Sequence, residues 1–267
     1  MNSEWLENEI QTEIFRWKRD HGNMDFWRRP LVGIASASDP LIGGLKLVVD
    51  SEHATAFDIL TSARSVIVFF LPFQRWIGGK NDRSGTYAAR IWAESYVAGN
   101  QLIAAINLHL KQCLESAGFK ASTTPATHNF DEKKLVSRWS HKHLAYIAGL
   151  GKFGSHHLLI TQAGCCGRLG SLVTTMELPP SIRSQEELCL AKRGFNCSAC
   201  ISKCTCGALQ ENIFDRRACY RQCLLNDAHY SDLPLVDVCG KCSCNVPCSY
   251  GIPVPLSGRT GGAITGT

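Results

Sequence analysis

The sequence has no long apolar run and no secretory signal. No stretch of about 18 consecutive apolar residues occurs, so no segment predicts a transmembrane helix. The first residues, Met1 to Trp5, begin a polar amphipathic pattern where a signal peptide would have its apolar core. We therefore expect a cytoplasmic protein that does not bind a membrane.

Clusters of basic residues are also missing. The formal net charge is only +5, and arginine pairs such as Arg28 with Arg29 and Arg216 with Arg217 stand alone. A solvent-exposed surface explains such pairs, and no basic stripe indicates nucleic-acid binding. The charge is compatible with an anionic partner but does not require one.

Cysteine is scarce in residues 1–188, which contain three, and dense in residues 189–248, which contain eleven of the fourteen. Because 45% of the 267 residues are apolar, the chain can bury a core without disulfides. In a reducing compartment, clustered cysteines favour metal or redox chemistry. A disulfide scaffold is the alternative, and the uneven distribution of the cysteines disfavours it.

Eight of the eleven cysteines form two compact groups with C-x2-C spacings, at 197–206 and 239–248, a pattern typical of modules with two 4Fe-4S clusters. In such modules the last cysteine of each motif binds the other cluster. The predicted ligands of the first cluster are Cys189, Cys197, Cys200 and Cys248. The predicted ligands of the second cluster are Cys204, Cys219, Cys239 and Cys242.

Three cysteines of this segment have no assigned role. Cys223 is an alternative to Cys219, whereas Cys206 and Cys244 are spare. Zinc is the alternative metal, because the C-x2-C pairs that end at Cys200 and begin at Cys239 could form a four-thiolate site. Zinc would leave more cysteines unused, so the pattern favours iron and sulfur.

The residues before this segment predict a mixed α/β domain. Apolar residues at helical spacing predict helices at 3–20, with a cap at Ser3, at 87–117 and at 139–148. Apolar runs predict strands at 31–35, 65–71, 158–161 and 171–176. We expect the strand at 65–71 to be covered on both faces.

The predicted domains are an α/β cofactor or substrate domain at 1–180, a cysteine module at 181–255 and a flexible tail at 256–267. Cys113, near the end of the long helix, is predicted to be a small buried hydrophobe. The neighbouring Cys165 and Cys166 are predicted to be incidental residues of a turn.

Glycines are concentrated at Gly149, Gly151 and Gly154. Their spacing is that of a dinucleotide-binding motif, but they follow a predicted helix and precede a strand, which is the reverse of that motif's context. A tight turn or the close approach of a large ligand explains them better.

Together these motifs resemble the epoxyqueuosine reductase family, which is related to the reductive dehalogenases. The likeness lies in AGLGKFG at 148–154, LLIT at 158–161 and GSLVT at 170–174, upstream of a two-cluster module. The run ARSVIVFFLP at 63–72 also resembles the family's early strand. The resemblance covers residues 55–250.

This resemblance implies a nitroreductase-like sandwich that holds cobalamin, followed by a ferredoxin-like module. It implies that Gly149, Gly151, Lys152 and Gly154 line the face that meets the corrin. It also implies an oxidoreductase that takes electrons from a flavodoxin or ferredoxin and removes an oxygen reductively. The substrate would be a small molecule or a modified nucleoside, and the alternative is a non-catalytic electron carrier that docks a partner.

The family's catalytic aspartate has no clean match. Asp131 is the nearest candidate, and His141 or His143 could supply a proton instead; two residues apart on a helix, they face different sides. His156 and His157 are equally ambiguous. The helical repeats with which longer members grip tRNA are missing from this sequence, so we expect a short, diverged relative. No feature predicts the oligomeric state.

Overall fold

The computed structural model describes residues 1–125 and 130–255 and has a mixed α/β architecture. Its helices are α1 (Ser3–Asp20), α2 (Pro40–Val48), α3 (Ala56–Ile59), α4 (Arg75–Asp82), α5 (Arg90–Ser116), α6 (His141–Ile147), α7 (Ala199–Ser202) and α8 (Arg216–His229). Its strands are β1 (Leu31–Ser36), β2 (Ser65–Pro72), β3 (Ala121–Thr123), β4 (Phe130–Asp131), β5 (Val136–Ser137), β6 (Gly151–Phe153), β7 (Leu159–Thr161), β8 (Gly167–Thr174), β9 (Leu209–Gln210) and β10 (Ile213–Phe214). A 3-10 turn covers Lys241–Ser243.

A four-stranded antiparallel sheet in the order β1-β2-β8-β3 forms the centre of the front part of the chain, residues 1–180. All eight residues of β2 are buried between β1 and β8. Alternate side chains of a strand point to opposite faces, so Ile67 and Phe69 join one apolar core while Val66 and Val68 join another. The prediction that this strand is covered on both faces is confirmed.

The first apolar core lies between the sheet and helices α1 and α5. The buried side chains of α1 have the predicted helical spacing and include Leu6 and Ile10. Full burial of each such side chain contributes about 1.5–3 kcal/mol. The helix is capped by Asn2, whose side-chain oxygen accepts the Trp5 N–H at 2.9 Å. The predicted cap at Ser3 is therefore wrong by one residue.

The cysteine segment, residues 189–248, has little regular structure and packs on the front part through buried polar contacts. Asn226 of α8 accepts the Ala88 N–H at 2.9 Å and donates to the Val238 carbonyl at 2.8 Å. Gly240 has φ +70° and lies against Trp92, where a Cβ atom would be 2.1 Å from the ring. Only glycine allows this approach.

The predicted domain limits at residues 180 and 255 stay a prediction, and the predicted tail at 256–267 lies outside the described residues. Among residues 1–125 and 130–255, no helix combines the length and the apolar content needed to cross a bilayer.

Candidate functional site

The first group of cysteines surrounds a small cavity at the contact between the cysteine segment and the front part. The polar side chains that line it belong to Ser155, His156, Cys189, Cys197, Cys200 and Cys248. Backbone bonds hold this contact, since the Cys165 N–H donates to the Cys248 carbonyl at 2.9 Å. Burial raises the pKa of Cys200 to about 11, and the neighbouring thiols act in the same direction. A thiol in this environment ionises when a metal binds it.

The second group lines a larger cavity of about 440 Å³. Its cysteines from the cysteine segment are Cys204, Cys206, Cys219, Cys223, Cys239 and Cys242. Cys219 and Cys223 are one turn apart on α8 and share a face. A hydrogen bond from Cys223 lowers the pKa of Cys219 to about 7, so Cys219 is the member of this pair that ionises first.

The eight predicted cluster ligands therefore divide between the two cavities, four to each. Iron-sulfur clusters take cysteine thiolates as their ligands, and this donor set fits two 4Fe-4S clusters. The ligation itself stays a prediction. The spare Cys206 lies beside the second group, with its Sγ 3.8 Å from the Sγ of Cys204. Cys244 is fully buried, and its Sγ accepts a bond from Asn81 Nδ2 at 3.4 Å.

His156 lines both cavities. Its Nδ1 accepts the Leu158 N–H at 3.1 Å, so in the neutral ring the proton is on Nε2. That nitrogen lies 3.4 Å from Cys248 Sγ, and Cys165 Sγ lies 3.9 Å from the same sulfur. Hydrogen bonds from Cys165 and from His156 lower the pKa of Cys248 to about 5. The front part thus supplies two donors to one predicted ligand.

A polar cluster that the sequence did not predict forms part of the wall of the larger cavity. Arg168 lies over the ring of Tyr96 at 4.3 Å from its centroid and bonds to Asn100. The Tyr96 hydroxyl donates to Asp237 at 2.6 Å. Burial lowers the pKa of Arg168, and its Nε has no hydrogen-bond partner in the described part of the chain. The cluster places a buried positive charge at the cavity.

No family model and no curated protein matches the sequence. Solved structures do match. An epoxyqueuosine reductase crystallised with a tRNA-Tyr epoxyqueuosine-modified stem loop gives a TM-score of 0.55 at 14% identity, over 92% of this chain and 68% of that chain. The enzyme from Streptococcus thermophilus gives 0.53 at 17% identity, over 93% and 68%. The enzyme from Bacillus subtilis gives 0.51 at 14% identity, over 92% and 67%.

The chain has the fold of epoxyqueuosine reductase. The resemblance seen in the sequence motifs is thereby confirmed for the fold, and the chain spans about two thirds of the length of the structures it matches.

Asp131, the nearest sequence candidate for the catalytic acid of this fold, lies at the β4–β5 turn. Its Oδ1 accepts the N–H groups of Lys134 and Lys133, each at 2.8 Å. These bonds lower the pKa of Asp131, which favours a carboxylate over a proton donor. The preceding residue, Phe130, lines the larger cavity, whereas Asp131 does not.

The two other candidates, His141 and His143, hold the structure around α6. Ser171 accepts a bond from Trp139 Nε1 and is 2.9 Å from His141 Nδ1, while His141 Nε2 lies 2.9 Å from the Pro125 carbonyl. Burial lowers the pKa of each histidine to about 4. Neither side chain lines either cavity. Their proposed proton transfer stays a prediction that the geometry does not favour.

The glycines at 149–154 each lie against neighbouring protein atoms. A Cβ atom on Gly149 would be 2.8 Å from the Ile182 oxygen, and one on Gly151 would be 2.0 Å from the Ile160 oxygen. On Gly154 it would be 2.6 Å from the His156 ring. Gly149, Gly151 and Lys152 line a third, small cavity. A corrin contact at these residues stays a prediction, because packing alone accounts for the glycines.

Proposed function

We propose that the chain is an iron-sulfur reductase. Its ferredoxin-like segment at 181–255 would hold one 4Fe-4S cluster on Cys189, Cys197, Cys200 and Cys248, and another on Cys204, Cys219, Cys239 and Cys242. When bound, the clusters supply one-electron transfer from a donor such as a flavodoxin or a ferredoxin. One observation carries the proposal: the eight predicted ligands line two cavities, four in each, and His156 lines both.

The larger cavity is the proposed substrate site. Its volume of about 440 Å³ would be shared between the second cluster, whose four predicted ligands line it, and the substrate. Trp92, Tyr96 and Phe130 line it and suit a planar ring. The fold similarity to an enzyme crystallised with epoxyqueuosine-modified RNA supports a modified nucleoside or a related small molecule.

The proposed reaction is the reductive removal of an oxygen. For an epoxide, two electrons and two protons break both bonds to the oxygen and give an alkene and water. The departing oxygen gains negative charge, and a buried cation stabilises such charge. We assign this role to Arg168, whose Nε has no hydrogen-bond partner among residues 1–125 and 130–255.

The family resemblance also implies a corrinoid, and the larger cavity does not fit one. A volume of about 440 Å³ is in the lower half of the range of about 300–1,000 Å³ for drug-sized ligands, and a corrinoid is much larger than those. Seven thiols line the same cavity. We therefore assign no step to a corrinoid. Cob(II)alamin added to the reduced protein should keep its free spectrum, and tight binding would contradict this assignment.

An electron carrier without a catalytic site is the second candidate. It predicts no substrate-binding side chains beside the second cluster, so the aromatic residues and Arg168 in the wall of the larger cavity disfavour it. The two candidates differ in one measurement, which is whether an epoxide-containing nucleoside oxidises the reduced protein.

The proposal is tested by metal analysis of protein purified without oxygen. We expect a brown protein with about eight iron and about eight acid-labile sulfide per chain. A colourless protein that contains zinc instead would overturn the proposal. The variant Cys113→Ser serves as a control, because Cys113 lines neither cavity and its loss should leave the iron content unchanged.

A further inference from the structure

Three potential metal ligands meet where α1 packs on α5, and none of them lines either cysteine cavity. Glu9 belongs to α1, while His109 and Cys113 are four residues apart on α5 and share one face. His109 Nε2 lies 2.7 Å from Glu9 Oε2 and 3.7 Å from Cys113 Sγ, and Sγ lies 4.0 Å from Oε2. The three donor atoms therefore surround one point.

This arrangement differs from a catalytic triad. In a triad the histidine uses one ring nitrogen for the nucleophile and the other for the acid. Here the thiol and the carboxylate both face the same nitrogen, His109 Nε2. An ion pair between Glu9 and His109 is another alternative, but it does not explain why the Cys113 thiol also lies beside His109. A shared metal ion requires donor atoms that surround one point, and these three atoms all lie within 4.8 Å of one another.

The distances suit a tetrahedral ion. Zinc binds sulfur at about 2.3 Å and nitrogen or oxygen at about 2.0–2.2 Å, so its tetrahedral ligands lie about 3.3–3.6 Å apart. The three observed separations, 2.7, 3.7 and 4.0 Å, lie on both sides of that value. To bind an ion, the hydrogen-bonded pair of Glu9 and His109 would have to move apart and the Cys113 thiol would have to move closer.

We propose that Glu9, His109 and Cys113 bind a Zn²⁺ ion and that water completes the tetrahedron. Mixed sulfur, nitrogen and oxygen donors suit zinc, and a thiolate with a carboxylate neutralises its charge. The site is open enough for water, because the side chains of His109 and Glu9 are 16% and 27% exposed. The ion would join α1 to α5 and replace the predicted role of Cys113 as an inert hydrophobe.

One contact in the structure opposes the binding of a metal ion by His109. Arg16 Nη1 lies 3.5 Å from His109 Nδ1 and favours the tautomer with the proton on Nε2, which cannot bind metal. Zinc requires the proton on Nδ1. The Arg16 side chain is half-exposed and also pairs with Glu13 at 3.2 Å, so it can turn away. Removing it with Arg16→Ala should strengthen zinc binding.

The test measures how fast iodoacetamide alkylates Cys113 in the iron-loaded chain, with and without added Zn²⁺. Trypsin releases residues 112–120 (QCLESAGFK), which contain no other cysteine, so mass spectrometry can follow this thiol alone. At a zinc concentration ten times the dissociation constant, about 90% of sites are filled, and alkylation should slow about tenfold. An unchanged rate would overturn the proposal.

Matched variants separate ligation from other protection. Glu9→Gln keeps the side-chain shape and should abolish the protection by zinc. Glu7→Gln changes a carboxylate on the same helix that pairs with Arg29, and it should keep the protection. Equal protection in both variants would also overturn the proposal, because zinc would then act elsewhere. Circular dichroism checks that each variant is folded.

Discussion

The two cysteine groups differ in how much they provide beyond four ligands. The first has four thiols of the cysteine segment around a small cavity, and His156 and Cys165 form hydrogen bonds with Cys248. The second has six such thiols around a cavity of about 440 Å³ with aromatic and charged walls. The first cavity thus has only four thiols of the segment in its wall, whereas the second has two more thiols and several other side chains.

This difference predicts unequal tolerance to the loss of a thiol. Cys165 lies 3.9 Å from Cys248, but no other thiol of the cysteine segment lines the first cavity, so Cys189, Cys197 and Cys200 have no nearby replacement. In the second cavity, Cys223 lies one turn from Cys219, and Cys206 lies beside Cys204. These spare thiols could each replace a neighbouring predicted ligand of the second group.

The largest effect is expected from Cys200→Ser. Cys200 is 8% exposed and lies on α7 among the other three thiols of its group. Four cysteine thiolates are the usual ligands of a 4Fe-4S cluster, and serine is a much weaker ligand than cysteine, so the iron content should fall from about eight to about four per chain. Full iron content in this variant would contradict the assignment of the first group.

A smaller effect is expected from Cys219→Ser, since Cys223 can replace the lost thiolate. The single variant should keep about eight iron per chain, and the double variant Cys219→Ser/Cys223→Ser should keep about four. Iron analysis of the two proteins in parallel checks this. If the single variant already loses about four iron, Cys223 does not replace Cys219, and the two groups tolerate the loss of a thiol equally poorly.

Local patterns in the sequence predict much of the fold and the division of the cysteines into two groups. The run at 65–71 is apolar at every position, and such a run favours a strand covered on both faces. The spacing of the cysteines predicts two sets of four; each set lines one cavity, the second together with Cys206 and Cys223, and the ligation stays a prediction. Both signals lie in short stretches of sequence, where geometry follows from spacing.

The other site residues depend on contacts between distant parts of the chain. Tyr96 and Asp237 are 141 residues apart, and Glu9 and Cys113 are 104 apart. No local pattern brings such pairs together. A lone arginine in the apolar strand β8 was the available signal for Arg168, because a buried charge requires partners. The Leu158 N–H determines which ring nitrogen of His156 carries the proton, and this contact exists only in the folded loop.

A shift in redox potential, without loss of iron, is expected from His156→Phe. The variant removes the N–H that faces Cys248 Sγ at 3.4 Å. Hydrogen bonds to cluster sulfurs stabilise the more negative reduced state, so the potential of the first cluster should fall while that of the second stays constant. His156→Gln retains an N–H donor and should restore most of the value.

His157→Phe is the matched control for this prediction. His157 stacks on Phe214 with ring centroids 4.7 Å apart and lines neither cavity. Potentiometric titration monitored by electron paramagnetic resonance gives both potentials, and Cys200→Ser identifies the signal of the second cluster. Equal shifts in the two histidine variants would show that His156 has no special link to the first group.

The smallest effect is expected at His141, which lies outside both groups and provides the contrast to His156. Burial lowers its pKa from 6.5 to about 4, so between these values the unfolded chain binds a proton that the folded chain does not. Its contribution to stability is therefore complete above pH 6.5 and is lost as the pH falls toward 4. Between pH 7 and pH 5.5 the loss is about 1 kcal/mol.

The variant His141→Gln removes this titration and keeps polar atoms that can face Ser171 and the Pro125 carbonyl. Its melting temperature should fall by about 2–4 °C less than that of the unmodified chain between pH 7 and pH 5.5. His143 has a pKa lowered to about 4 as well and contributes equally in both proteins, so the difference isolates His141. The redox potentials of both clusters should stay unchanged, because His141 lines neither cysteine cavity.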